Sequence, residues 1–267
     1  MSDPFESIDG WAAAIDEGLR PTEIELSVAM AKEPAATNGG SRAFPCVATD
    51  SNRYWVKVLN NGQDRRVPLN ELVVSGFGGL IGAPVTIVRA ITVPSDLDGC
   101  QVPNGPVLQA GIASASLDLR DSTQIGALDQ RSRDDNRRRH AGCFAIFDLC
   151  YGSSDLQWLR VETDDGSTHS HDHGHYFPQG PPWTAAGLLA AIDEPHPLPQ
   201  PTDDLDPHEL VRLAESLESI TPPSILRIVH SIPASWDIPT EDLAALGFFV
   251  FRRTRPVAAR LRALSGE

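Results

Sequence analysis

Apolar residues recur along this chain with two different periods, and the change between them divides it. Over residues 5–18, Phe5, Ile8, Trp11, Ala12 and Ile15 stand near helical spacing and predict a short amphipathic helix. Residues 22–31 alternate and stop before Pro34, which predicts a strand. A second strand is predicted over residues 53–59, R-Y-W-V-K-V-L, an aromatic and β-branched run with Lys57 inside it. From Pro68 to about Leu80 the period lengthens: Leu69, Leu72, Val73, Phe77 and Leu80 recur at threes and fours, so one helical stripe packs on the sheet. Gly82-Ala83-Pro84 ends that helix, and residues 85–91 predict another strand. Residues 94–106 read as a loop or hinge, with an edge strand over 105–110 beyond it.

The later half is patterned for helices. Residues 131–140 form the most basic run, which reads as a solvated helix face or as a place near an anionic partner. Residues 141–150 are apolar nearly all round, as in a buried central helix. A short strand over 159–161, a turn over 163–166 and a return strand over 167–171 predict a hairpin. Beyond it lie a short helix over 184–192, a proline-rich connector over 195–201 and a capped helix start at Asp206-Pro207. Another helix starts at Thr221-Pro222. A last one spans about 240–264, with Pro256 expected to kink or divide it.

Composition narrows the function classes. A chain of 267 residues at a formal charge of −14 is long enough for one large domain or two modest lobes. That charge argues against direct nucleic-acid binding and against an anionic membrane surface. No apolar run is long enough to span a bilayer, and the first residues carry no secretory pattern. Cys46, Cys100, Cys143 and Cys150 form no C-x-x-C pair and read as free, buried thiols. A cytoplasmic protein is expected.

Candidate chemistry gathers at a few places, each with two readings. The small-residue loop over 37–44, with Gly39, Gly40, Ser41 and Arg42, is either a plain hairpin turn or a loop whose N–H groups approach phosphates. Lys57 is either a solvated edge-strand lysine or an inward ammonium, and an inward ammonium needs a carboxylate. Glu71, on the edge of the apolar stripe, is placed to face it. The stretch T-H-S-H-D-H-G-H-Y, residues 168–176, carries His169, His171, His173 and His175 at alternate positions. If extended, it sets four imidazoles on one face for a metal. If it turns at Asp172-His173-Gly174, Asp172 can hold magnesium against a phosphate. The hairpin brings Asp172 near Asp155, a carboxylate on the loop after the buried helix.

Strand with lysine, helix with glutamate and then strand is the layout of a kinase amino-terminal lobe. The ordered motifs Y-W-V-K, L-N-E, L-I-G-A-P-V, F-D (Asp148), D-L-Q-W-L and S-H-D-H-G-H-Y-F-P resemble the HipA-like kinases, relatives of the toxin of a toxin–antitoxin pair. The resemblance covers roughly residues 20–255. It implies an α+β, two-lobed protein-kinase-like fold: a mainly antiparallel-sheet lobe over residues 1–105 and a helical lobe over 106–267. ATP and Mg2+ would bind between them. Lys57 would meet the phosphates, Glu71 would orient it, Asp155 would be the catalytic base and Asp172 the metal ligand, under the loop from Gly39 to residue 43. The acceptor would be a protein Ser or Thr hydroxyl, with autophosphorylation or an antitoxin-like partner open. The family's N-x-D-R-x-x-x-N run is replaced here by S-S-D-L-Q-W-L-R, so Arg160 falls where a metal-binding Asn is expected, and Gln157 is the substitute ligand. A catalytically silent nucleotide- or partner-binding module and a histidine-rich metal binder remain the alternatives.

Overall fold

The computed structural model describes residues 3–35, 40–125, 134–152, 156–194, 197–198, 202 and 204–267. Five short strands make the first sheet: β1 (Val28–Met30), β2 (Phe44–Ala48), β3 (Arg53–Lys57), β4 (Val88–Val93) and β5 (Gly111–Leu117). Their order is β1-β2-β3-β5-β4, every ladder antiparallel. An isolated bridge from Ser27 to Thr92 draws the two edges together, so the sheet curls. Helix α2 (Val67–Ile81) packs against β4 and β5 and is anchored mainly in the larger hydrophobic core. A second sheet, β6 (Ser122–Ile125), β7 (Gln157–Val161) and β8 (Ser167–His171), lies on the other side of the cleft. The two sheets join where Ser170 accepts from Thr86 N at 3.0 Å and donates its own N–H to Pro84 O at 2.8 Å.

The helical part holds α1 (Ile8–Glu17), α3 (Asp134–Leu149), α4 (Ala185–Ala190), α5 (Pro207–Glu218), α6 (Pro222–His230) and α7 (Thr240–Ser265). Asp206 caps α5 by accepting from Glu209 N at 2.8 Å. Arg253 on α7 ties the helices near the cleft together. Its guanidinium donates to the Asp148 and Leu149 carbonyls at the end of α3 and to those of Ala191 and Ile192 after α4. Among the described residues no helix is long and apolar enough to cross a membrane.

Several expectations change. β5 replaces the edge strand expected over 105–110 and lies in the middle of the sheet, beyond the boundary expected at residue 105. Its residues Ala113, Ser114 and Ala115 are buried in succession, so it has no alternation to betray it. The strand expected over 22–31 shrinks to β1. The one expected over 85–91 shifts to β4, because the 84–86 segment bonds to Ser170 instead. The basic run is not simply a solvated face: Arg139 donates to Thr168 O at 2.6 Å and holds β8. Pro256 lies within an unbroken α7. Cys46, Cys143 and Cys150 are buried free thiols, whereas Cys100 is exposed.

Candidate active site

A cleft of about 1020 Å3 opens between the two sheets. Lys57, at the end of β3, is 8 % exposed at its floor. Its neighbour across the ladder is Ser114 of β5, a small residue that leaves room for the long side chain. Nζ donates to Glu71 Oε1 of α2 and to Asp172 Oδ1, the latter at 2.5 Å. The inward reading of Lys57 therefore has not one carboxylate partner but two.

Asp172 is brought there by a break in β8. Its backbone is left-handed, φ 56 and ψ 59, a conformation that aspartate tolerates better than most residues. One turn of 3₁₀ helix, His173–His175, follows. Asn70 Nδ2 donates to Gly174 O at 2.7 Å, and Trp183 Nε1 donates to Asn70 Oδ1 at 2.9 Å, which locks the turn onto α2. A Cβ on Gly174 would stand 2.8 Å from Val67 Cγ1, so only glycine allows this approach.

The charges are unequal. Burial works against the Lys57 ammonium, but Glu71 and Asp172 outweigh it and raise its pKa. Burial also works against the Asp172 carboxylate, yet Lys57 holds its pKa well below the usual range. Burial raises Glu71, with Lys57 opposing and the Asp172 charge adding to the rise. One ammonium thus faces two carboxylates, a site that a further cation would complete.

The four histidines do not share a face. Alternation ends at Asp172, and each ring goes its own way. His169 Nε2 lies 2.6 Å from Arg139 Nη2, and burial followed by that guanidinium pushes its pKa down to about 4. His171 borders the cleft. His173 is fully buried, with Nε2 2.8 Å from Ser170 Oγ, and burial pushes it down to about 3. Among the described residues no three His, Cys, Asp or Glu side chains are placed to hold a metal ion.

Gln157 and Leu159 of β7 border the cleft, but Arg160 does not. Strand alternation turns Arg160 to the other face, where it pairs with Glu162 at 2.7 Å. Arg160 therefore does not border the cleft beside Asp172, although motif counting places it where a metal-binding Asn is expected. Gly40, Ser41 and Ala43 border the cleft, while Arg42 is exposed and outside its lining. Gly39 and Asp155 lie outside the described residues.

Sequence reasoning missed part of the rim. Asp118 accepts from Trp55 Nε1 at 3.0 Å and forms an ion pair with Arg53 at 2.7 Å, tying β3 to the segment after β5. No motif marks these residues; only the pairing of Trp55 with Ser116 brings them together.

A curled antiparallel sheet and a helical lobe flanking a cleft make this a two-lobed protein-kinase-like fold of the α+β class. By sequence, no protein-family profile and no curated protein matches the chain. Among solved structures, the Helicobacter pylori proinflammatory kinase CtkA is similar with a TM-score of 0.57 and 11 % identity, over 92 % of this chain and 99 % of that one. The Golgi casein kinase is more distant, at TM-score 0.44 and 11 % identity over 99 % of this chain and 81 % of that one. Its form with Mn/ADP bound gives 0.47 and 10 % over the same shares. At such identities the likeness is one of fold.

Proposed function

We propose that the chain is an ATP-dependent phosphotransferase of the HipA-like kind, working with Mg2+ on a protein Ser or Thr hydroxyl. One observation carries this reading: the buried ammonium shared by Glu71 and Asp172 at the floor of the cleft. In this role Lys57 draws in the nucleotide phosphates and Glu71 keeps it in place. Asp172, held ionised, and Gln157, with its amide on the cleft wall, are the residues that would hold the cation. Their donor chemistry, a carboxylate and an amide oxygen, suits it. The cation supplies charge neutralisation at the phosphate oxygens. Gly40, Ser41 and Ala43, which border the cleft, would lie over the phosphates, with Gly39 and Arg42 of the same loop assigned there by the motif alone. Asp155 accepts the proton of the attacking hydroxyl as its oxygen–phosphorus bond forms and the bond to ADP breaks; this role rests on the D-L-Q-W-L motif. The two lobes of this reading meet after β5 rather than at residue 105.

Thermal stabilisation by ATP with Mg2+ tests the reading. It should be present in the wild type and lost in Lys57→Ala and Asp172→Ala, and phosphate transfer should be lost in Asp155→Ala. Stabilisation unchanged in both cleft variants would refute it. A second reading is a catalytically silent nucleotide-binding module. It is favoured by Gln157 bordering the cleft as an amide longer than the asparagine of the resembling motif. Phosphate release clearly above that of Asp155→Ala would exclude it.

A further inference from the structure

The proposed chemistry uses the floor of the cleft around Lys57 and leaves the wall above it without a role. Of the chain's five tryptophans, Trp11, Trp183 and Trp236 are fully buried and Trp158 is 2 % exposed. Trp55 is half-buried and borders the cleft. Trp55 and Lys57 are two apart on β3, so their side chains leave the same face with Cα atoms about 7 Å apart. That distance is comparable to the span from a nucleobase across its ribose to the first phosphates. The residues opposite Trp55 are Pro45 of β2 and Ser116 of β5, neither large enough to cover an indole. Trp55 Nε1 donates to Asp118 Oδ1 at 3.0 Å, and Asp118 is itself paired with Arg53 at 2.7 Å, so the ring is held by its edge. The Leu117 and Asp118 N–H groups at the end of β5 donate to Ile87 O at 2.8 Å and to Arg53 O at 2.9 Å. This stretch of wall therefore offers a ligand an aromatic surface in place of those two backbone donors.

We infer that the Trp55 indole is the platform on which the nucleobase stacks, and that the site recognises a purine by its ring face. This rests on the nucleotide reading above. With phosphates at Lys57, the other end of the ligand extends along β3 over Trp55. Stacking on an aromatic side chain is tolerant of base identity, because every base has a π-face. Its strength follows the area of overlap. Adenine and guanine present nearly the same area and are both accepted, whereas cytosine, a single ring, covers less of the indole. The bond to Asp118 fixes the ring before the ligand arrives, so little side-chain freedom is lost on binding.

Tryptophan fluorescence of the wild-type protein with Mg2+ reads the contact directly, since Trp55 is the one indole not buried in the core. ADP should quench it and shield it from iodide. Tripolyphosphate, which has no base, should bind without either effect. By calorimetry, ADP and GDP should bind within about threefold of each other, and CDP several-fold more weakly. Trp55→Leu should lose about tenfold or more in ADP affinity and keep tripolyphosphate affinity within about twofold. Trp55→Phe keeps a ring face without the bond to Asp118 and should stay within about threefold of the wild type. The platform is overturned if Trp55→Phe is as weak as Trp55→Leu, or if bound ADP leaves fluorescence and iodide access unchanged. It is overturned as well if ADP binds about tenfold more tightly than GDP, since the base is then read by its edge. In each of these cases tripolyphosphate binding keeps the phosphate site standing. If neither ADP nor tripolyphosphate binds to folded wild-type protein, the nucleotide reading fails and this inference falls with it. The fluorescence measurement needs no variant, so it decides the contact even if Trp55→Leu misfolds.

Discussion

At Lys57 one side chain neutralises a buried carboxylate, Glu71, and a partly exposed one, Asp172, and removing it exposes the imbalance. Lys57→Ala leaves Glu71 and Asp172 facing each other without a cation, which should cost about 3 kcal/mol or more of stability in urea unfolding. Adding Glu71→Gln removes the stranded charge, so the double variant should be more stable than Lys57→Ala alone; equal or lower stability would show that the triad is not a charge unit. His169 makes a pH prediction of definite sign. Its folded pKa of about 4 lies below its unfolded value of about 6.5, so the folded chain resists a proton that the unfolded chain takes up. The resulting stability is complete at pH 7 and is lost as pH falls from about 6.5 towards 4, by on the order of 2 kcal/mol at pH 5. Arg139 and Asp164 are the charges acting on it. Unfolding of His169→Gln should therefore show a flatter pH dependence over that range, and an unchanged slope would sink the assignment. At this scale the sequence is informative in parts. Lys57 and Glu71 are legible because an ammonium in an apolar strand demands a partner and the next helix offers one. Arg160 is misleading because counting along a motif ignores strand direction, and a side chain's face depends on register.

At the scale of elements, legibility follows burial geometry. Helices α2, α5 and α7 each have one face in the core or a marked start, and their spacing or caps announce them. β5 is itself built largely of small residues, three of them buried in succession, so nothing periodic remains in I-A-S-A-S-L. β4 is displaced by a tertiary bond, the Ser170 bridge, which no local pattern contains. Between helices, the closest packing is also invisible in sequence: Gly247 on α7 lies where a Cβ would come 2.7 Å from the ring of Trp11 on α1. Trp11 is fully buried against Phe5 and Phe251, with no free side to retreat to. Gly247→Ala should therefore destabilise the chain despite alanine's better helix propensity, by about 1–3 kcal/mol in urea unfolding. A stabilised variant would mean that the α1–α7 contact is looser than this geometry.

For the whole molecule, the cleft poses an electrostatic problem. The chain carries a formal charge of −14, the cleft floor holds two carboxylates against one ammonium, and a nucleotide adds phosphates of the same sign. Without a divalent cation the phosphates meet net repulsion, screened at long range by salt but little at the buried floor. In the proposed reading, a divalent cation would change Asp172 from a repulsive group to a ligand. Asp172→Asn separates these two roles. The amide keeps the shape, frees part of Lys57 for phosphate and removes one negative charge, a change on the order of 1 kcal/mol at a partly screened cleft. In EDTA the variant should therefore bind ADP several-fold more tightly than the wild type. Added Mg2+ or Mn2+ should strengthen the wild type strongly and the variant little, so the affinity order reverses. Calorimetry of both proteins in EDTA and in excess cation checks this. If Asp172→Asn weakens ADP binding equally in both conditions, Asp172 acts through the fold of the 172–175 turn. The crossing of the two orders is expected only where this carboxylate repels the bare nucleotide and recruits the metal that carries it in.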